Sequence, residues 1–191
     1  MKKILLFAAV TILTVLSVFA LSTPRWENRP IKVYIPGNNY TSTLMKNAFL
    51  QWQTRTYSAV WFTFLSSDRQ NEADITVHFV EKNTNCGNIS AIGCAHYRVK
   101  PNGFYAHNDI YIASKSVTQL VGDDGTVATK TEVIPAEQVY RVMLHEIGHA
   151  IGISEHSSNP NSVMYMYSMN DKNIPQLLTD EDLKFVYNVY R

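Results

Sequence analysis

Apolar and polar positions alternate through residues 31–35. Ile31, Val33 and Ile35 fall on one side, Lys32 and Tyr34 on the other. This period of two predicts a strand with one buried face. Pro36-Gly37-Asn38-Asn39 breaks it as a turn. Beyond the turn the period lengthens. Leu44, Ala48, Phe49 and Trp52 recur at helical spacing, with Thr41, Ser42 or Thr43 expected to cap the helix. Residues 61–65 read as a second strand, Ile75, Val77 and Phe79 mark a third, and residues 109–113 another, with Ile110 and Ile112 facing one way. A long helix is predicted over 136–152. Val139, Met143, Ile147, Ala150 and Ile151 cluster on one side of it, and His145 and His149 fall nearly opposite. Pro135 and Glu137 suit its first turn and Gly152 its end. Thr179 and Asp182 form a capping-box-like start to a last helix with Leu183, Val186 and Tyr190 on one side.

Residues 1–20 stand apart. Lys2 and Lys3 precede an apolar run over 4–20, interrupted by Thr11, Thr14 and Ser17, and Val18-Phe19-Ala20 places small residues where a signal peptidase reads. A secretory signal peptide cleaved after Ala20 is expected. The alternative is an uncleaved membrane anchor formed by residues 4–20. The expected organisation is therefore a signal peptide over 1–20, a lead-in over 21–30 and one catalytic domain over 31–191, long enough for a proper core. Removing Lys2 and Lys3 from the 17 basic side chains leaves 15 against 16 acidic ones. That balance gives no electrostatic case for nucleic acid or for an anionic membrane surface. A secreted monomer with no membrane association after signal cleavage is expected. Cys86 and Cys94 are the only cysteines. In an exported chain a pair this close implies a disulfide, contributing about 2.5 kcal/mol by loop entropy. Two free thiols would fit a reducing compartment instead.

The candidate chemistry lies in residues 145–156, His-Glu-Ile-Gly-His-Ala-Ile-Gly-Ile-Ser-Glu-His. Within it, His145, Glu146 and His149 form H-E-x-x-H. Positions four apart on a helix share a face, so two imidazoles can reach one ion. A catalytic zinc takes three protein ligands and keeps one position for water. Glu146 stands beside the first ligand, where its carboxylate can take that water's proton.

This stretch resembles the matrixin branch of the metzincin metalloproteases, whose motif is H-E-x-x-H-x-x-G-x-x-H followed by a Met-turn. His145, Glu146, His149 and Gly152 stand in register. The family's third histidine falls at Glu155, and His156 follows it. The run His156-Ser-Ser-Asn-Pro160 then resembles the family's continuation, as one inserted residue would explain, so His156 is the expected third ligand and Glu155 the alternative. Ser162-Val-Met-Tyr165 looks like the Met-turn, with Met164 beneath the zinc. The resemblance implies an α+β fold: a twisted mixed sheet with a long backing helix, an active-site helix and a C-terminal helix. It also implies that Tyr165 and Tyr167 help build the main specificity pocket, although the family's proline after Met-Tyr is Met166 here.

No counterpart of the family's latency cysteine precedes the domain, so latency by that switch is not expected. His96 and His107 resemble two ligands of the animal family's structural zinc, but the accompanying His-x-Asp is absent and two ligands are too few. His78 reads as structural. Asp123, Asp124 and Gly125 could offer oxygens to calcium, though a solvated turn is the simpler reading. One catalytic zinc is therefore the expected cofactor, with calcium or a second zinc unsupported. The function implied is a secreted zinc endopeptidase acting on protein or peptide substrates, with a zinc-bound water and Glu146 as general base. The alternatives are a catalytically silent zinc-binding module of the same fold and an N-terminally anchored surface protease.

Overall fold

The computed structural model describes residues 23–166 and 177–190. The expected signal segment 1–20 and Tyr167 lie outside the described residues. Five strands make one sheet: β1 (Ile31–Tyr34), β2 (Phe62–Leu65), β3 (Ile75–Val80), β4 (Gly93–Val99) and β5 (Tyr105–Ala113), in spatial order β2-β1-β3-β5-β4. β1 runs parallel to β2 and β3, and β3 parallel to β5. β4 is antiparallel to β5 and forms one edge of the sheet. Helix α1 (Tyr40–Arg55) makes the crossover between the parallel strands β1 and β2. Helix α2 (Ala136–Ala150) is the predicted long helix, and α3 (Asp180–Tyr190) closes the chain. The architecture is the α+β one implied by the resemblance.

Most of the alternating apolar strand residues form the core, with Ile35 and Phe79 packed at its margin. Ile31, Val33, Ile75, Val77, Ile110 and Ile112 are buried beneath Met45, Phe49 and Trp52 of α1 and Met143, Leu144 and Ile147 of α2. Trp52 ties the two helices, its Nε1 donating to the Leu144 carbonyl at 3.0 Å. The start of α3 is a reciprocal capping box. Thr179 N donates to Asp182 Oδ2 at 2.8 Å, and Asp182 N donates to Thr179 Oγ1 at 3.3 Å.

The structure differs from the periodicity in four places. The α1 cap is Asn39 rather than Thr41, Ser42 or Thr43. Its Oδ1 accepts from Ser42 N at 3.0 Å, because the helix already begins at Tyr40 and Asn39 is the last extended residue. Pro135 is the residue before the first turn of α2 rather than within it. β4 was not predicted, because as an edge strand its later half is exposed and needs no apolar alternation. The last difference is a hairpin of β6 (Lys115–Val121) and β7 (Val127–Val133), a separate two-stranded sheet between β5 and α2. It is solvent-exposed over most of its length, so burial left no period in the sequence. Its signal was two β-branched runs flanking Asp124-Gly125.

Candidate active site

Helix α2 is amphipathic by design of its sequence. Its apolar face enters the core, and His145, Glu146 and His149 line a cleft of about 590 Å³. Gly93, Cys94 and Ala95 of β4 and Ser116, Val117 and Thr118 of β6 complete its lining. Cys86 and Cys94 are joined, with Cα atoms 5.7 Å apart, which ties the loop that borders the cleft to β4.

The two histidines are held by their outer nitrogens. His145 Nδ1 meets the Val163 carbonyl at 2.8 Å and His149 Nδ1 meets the Ile153 carbonyl at 2.6 Å. A carbonyl only accepts, so each Nδ1 carries the proton and each Nε2 presents a lone pair. Those two Nε2 atoms face each other at 3.1 Å. Burial, foremost, keeps both imidazoles neutral, pushing His145 down to about 3 and His149 down as well. Two bare lone pairs at this separation repel unless a cation lies between them. Nitrogens on a tetrahedral zinc sit about 3.3 Å apart, so the pair fits such an ion.

His156 completes the group. Its ring lies 5.1 Å from that of His145 and 5.1 Å from that of His149, and one ligand nitrogen from each of the three falls within 4.8 Å of the others. Among the described residues this is the one such group of three. Glu155 is exposed and outside it. The turn that delivers His156 begins at Gly152, whose φ of +116° only glycine adopts readily. Gly152 N donates to His149 O and Ile153 N to Gly148 O, the paired bonds of a Schellman end. The residue after His156 is pinned in turn, Ser157 N donating to Met164 O at 3.0 Å. The extra residue relative to the family motif is thus absorbed in a loop fastened at both ends.

Met164 is buried against the helix. A Cβ on Gly148 would stand 2.3 Å from its sulfur, so the glycine inside H-E-x-x-H makes room for the Met-turn. Asp182 holds that turn from α3: it is 2% exposed and accepts from Ser162 Oγ at 2.5 Å and from Val163 N at 3.4 Å. Val163 O in turn receives His145 Nδ1, which links α3 to the first histidine.

Glu146 is buried, and burial pushes its carboxyl up to about 8 against the pull of the Arg141 guanidinium. Arg141, buried one turn earlier, donates to the Tyr165 carbonyl. Tyr165 follows the Met-turn and Met166 lines the cleft. His78, His107 and Asp109 sit elsewhere, on the outer face of the sheet. Asp109 Oδ1 lies 2.8 Å from His78 Nε2 and 3.4 Å from His107 Nε2. His96 is exposed on β4, facing Tyr111. Asp123, Asp124 and Gly125 form the tip of the β6–β7 hairpin, where Asp124 Oδ1 accepts from Thr126 N and Thr126 Oγ1.

Sequence reasoning missed five residues that build this site. Gly93 packs against Glu146, and nothing local to its own strand marks that contact. Arg141 lies four residues before His145, a helical spacing that could have placed it on the cleft face. Trp26 donates Nε1–H to the Ala150 carbonyl at 2.8 Å, while Tyr190 and Tyr105 hydroxyls cover the carbonyls of Ile151 at 2.8 Å and His149 at 3.4 Å. Three distant segments therefore satisfy the carbonyls at the end of the active-site helix.

In the family comparison, residues 28–191 match the model of the matrixin peptidases. The chain belongs to the matrixin family. This matrixin is 28% identical over 188 residues to matrix metalloproteinase-15 of Homo sapiens, an alignment that covers 90% of this chain and 26% of the relative. The chain thus spans about a quarter of that curated relative's length. Two solved structures of myroilysin are also similar. One has a TM-score of 0.53 at 16% identity over 89% of this chain and 84% of the other, and shows the shared fold. The second has a TM-score of 0.48 at 14% identity over 84% and 82%.

Proposed function

We propose that this matrixin is a secreted endopeptidase in which His145, His149 and His156 hold one zinc ion and Glu146 is the general base. One observation carries the reading: the unprotonated Nε2 atoms of His145 and His149 face each other at 3.1 Å in the cleft that the buried Glu146 also lines. Zinc, when bound, supplies a Lewis acid that polarises the scissile carbonyl and makes water acidic near neutral pH. The protein's own residues do the rest. Burial raises the proton affinity of Glu146, and the positive charge of a bound cation would hold it as carboxylate; in that form it accepts a proton from the attacking water and delivers it to the departing nitrogen. The free edge of β4 offers main-chain hydrogen bonds to an extended peptide, which aligns the scissile bond along the cleft. Tyr165 and Tyr167 follow the Met-turn in sequence, the stretch from which the family builds its specificity pocket, and are the proposed pocket residues.

Export is supported by the expected signal segment over 1–20 and by the Cys86–Cys94 bond, which an oxidising compartment favours. No helix among the described residues is long and apolar enough to cross a membrane. The test is Glu146→Gln. Turnover of a casein or peptide substrate should fall by about 10²–10⁴-fold, while bound zinc stays near one per chain by elemental analysis. Zinc lost in step with activity would make Glu146 a ligand. A parent protein that binds zinc and cleaves nothing would make the domain a silent binding module.

A further inference from the structure

The β6–β7 hairpin has no role in the site described above, yet it begins there. Ser116, Val117 and Thr118 line the catalytic cleft, and from that base both strands run out into solvent. Seven residues per strand, at roughly 3.3 Å each, make a ledge about 23 Å long. Its outer end is apolar. Val121 and Val127 are directly paired and are 72% and 62% exposed, and Leu120 on the opposite face is 50% exposed. The lysines of its strands are partnered, Lys115 at the base with Glu81 at 2.6 Å and Lys130 with Glu132 at 2.9 Å, and Asp123 and Asp124 lie beyond the valines in the turn. A second feature lies in the cleft that the base of the hairpin lines. Gln138 Oε1 is buried in the cleft lining and has no hydrogen-bond partner among the described residues. A buried acceptor left in this state costs free energy that a donor from a bound chain would recover.

We propose that the hairpin is an accessory binding ledge for extended polypeptide, engaging the substrate chain beyond the residues that occupy the catalytic cleft. The inference rests on the peptidase reading for the identity of its occupant. The ledge is continuous with the cleft, so a chain leaving the site passes Gln138, whose Oε1 takes a main-chain N–H, and then lies along the hairpin. The contact is apolar and main-chain in character, so it recognises unfolded polypeptide with apolar side chains rather than a charge pattern. A second copy of the protein is a poor occupant. One face of a two-stranded ledge about 10 Å wide offers about 230 Å², against about 800 Å² per partner in a stable dimer. The ledge therefore favours long unfolded substrates over short peptides.

The test compares the parent with the double variant Val121→Ser/Val127→Ser, two exposed positions away from the cleft. Substrates are an octapeptide and a reduced, carboxymethylated protein of more than a hundred residues. Partial burial of the two valines together is worth roughly tenfold in affinity. The variant should therefore raise KM for the long substrate about tenfold and leave octapeptide kinetics within twofold. Equal kinetics on both substrates would overturn the proposal. Binding of the carboxymethylated chain is measured in parallel in the Glu146→Gln background, by fluorescence anisotropy. Weaker binding by the serine variant supports the ledge even if the parent cleaves neither substrate, a result that would defeat the peptidase reading alone. Unchanged binding overturns the ledge whatever the activity. Sedimentation showing a parent dimer that the serine variant loses would overturn it in favour of self-association.

Discussion

Gly93 on β4 lies directly against Glu146 on α2: a Cβ at Gly93 would stand 2.8 Å from Glu146 Oε1 and 2.5 Å from Val142 Cγ1. The edge strand thus touches the proposed base through the one residue without a side chain. Gly93→Ala should displace the carboxylate, since the added Cβ would overlap its Oε1 and the side chain can yield only toward the cleft. We expect kcat to fall about 10–100-fold, as a misplaced base forfeits part of its contribution. Overpacking should cost about 1–3 kcal/mol in stability. Zinc content, held by the imidazoles, should not change. A variant with full kcat would show that Glu146 tolerates the displacement.

The ligand assignment predicts opposite effects at neighbouring positions. His156→Ala should weaken zinc binding and abolish turnover, because two imidazoles leave the ion with too few protein ligands. Glu155→Ala should leave both within about twofold, since Glu155 is exposed and outside the imidazole group. Zinc titration against a competing chelator, beside peptide hydrolysis, measures both. The reverse pattern would make His156 a bystander.

Cys86→Ser/Cys94→Ser should lower stability by about 2.5 kcal/mol on loop entropy. Asn88, Ser90, Ala91 and Ile92 line the cleft, in the loop tied to β4 by this bond. Their release should therefore raise KM more than it lowers kcat. Urea unfolding and steady-state kinetics separate the two effects. Unchanged KM would mean the loop holds its place without the bond.

Asp109 predicts a small acid-side loss of stability. Partial burial pushes its carboxyl up, but the His78 hydrogen bond and the nearby His107 outweigh that, so it titrates below its ordinary 3.8. A group depressed in the folded state stabilises above its unfolded pKa and loses that contribution as pH falls through the folded value. Asp109→Asn should therefore be less stable than the parent by about 0.5–1 kcal/mol at pH 6, in keeping with a partly exposed pair. The difference should shrink as pH falls below 3.8. Urea midpoints of both proteins at pH 6 and pH 3 test this. A gap that widens with acid would contradict the sign.

The sequence by itself determined what a short stretch of chain decides about its own burial. Ile31, Val33, Ile75 and Val77 alternate because one face of each strand enters the core. His145 and His149 share a helix face because they are four apart, and Gly152 ends that helix because the turn needs positive φ. The choice between Glu155 and His156 was open to both readings of the spacing; the fastening of Ser157 to Met164 brings His156 to the other imidazoles. Only the tertiary structure decided the rest. Gly93 against Glu146, Trp26 on Ala150 and Asp182 behind the Met-turn join residues 53, 124 and about 20 positions apart. β4 and the β6–β7 hairpin left no apolar period because exposed strands bury too little to need one. Periodicity records which face of an element leaves water; it holds no record of which distant residue meets that face.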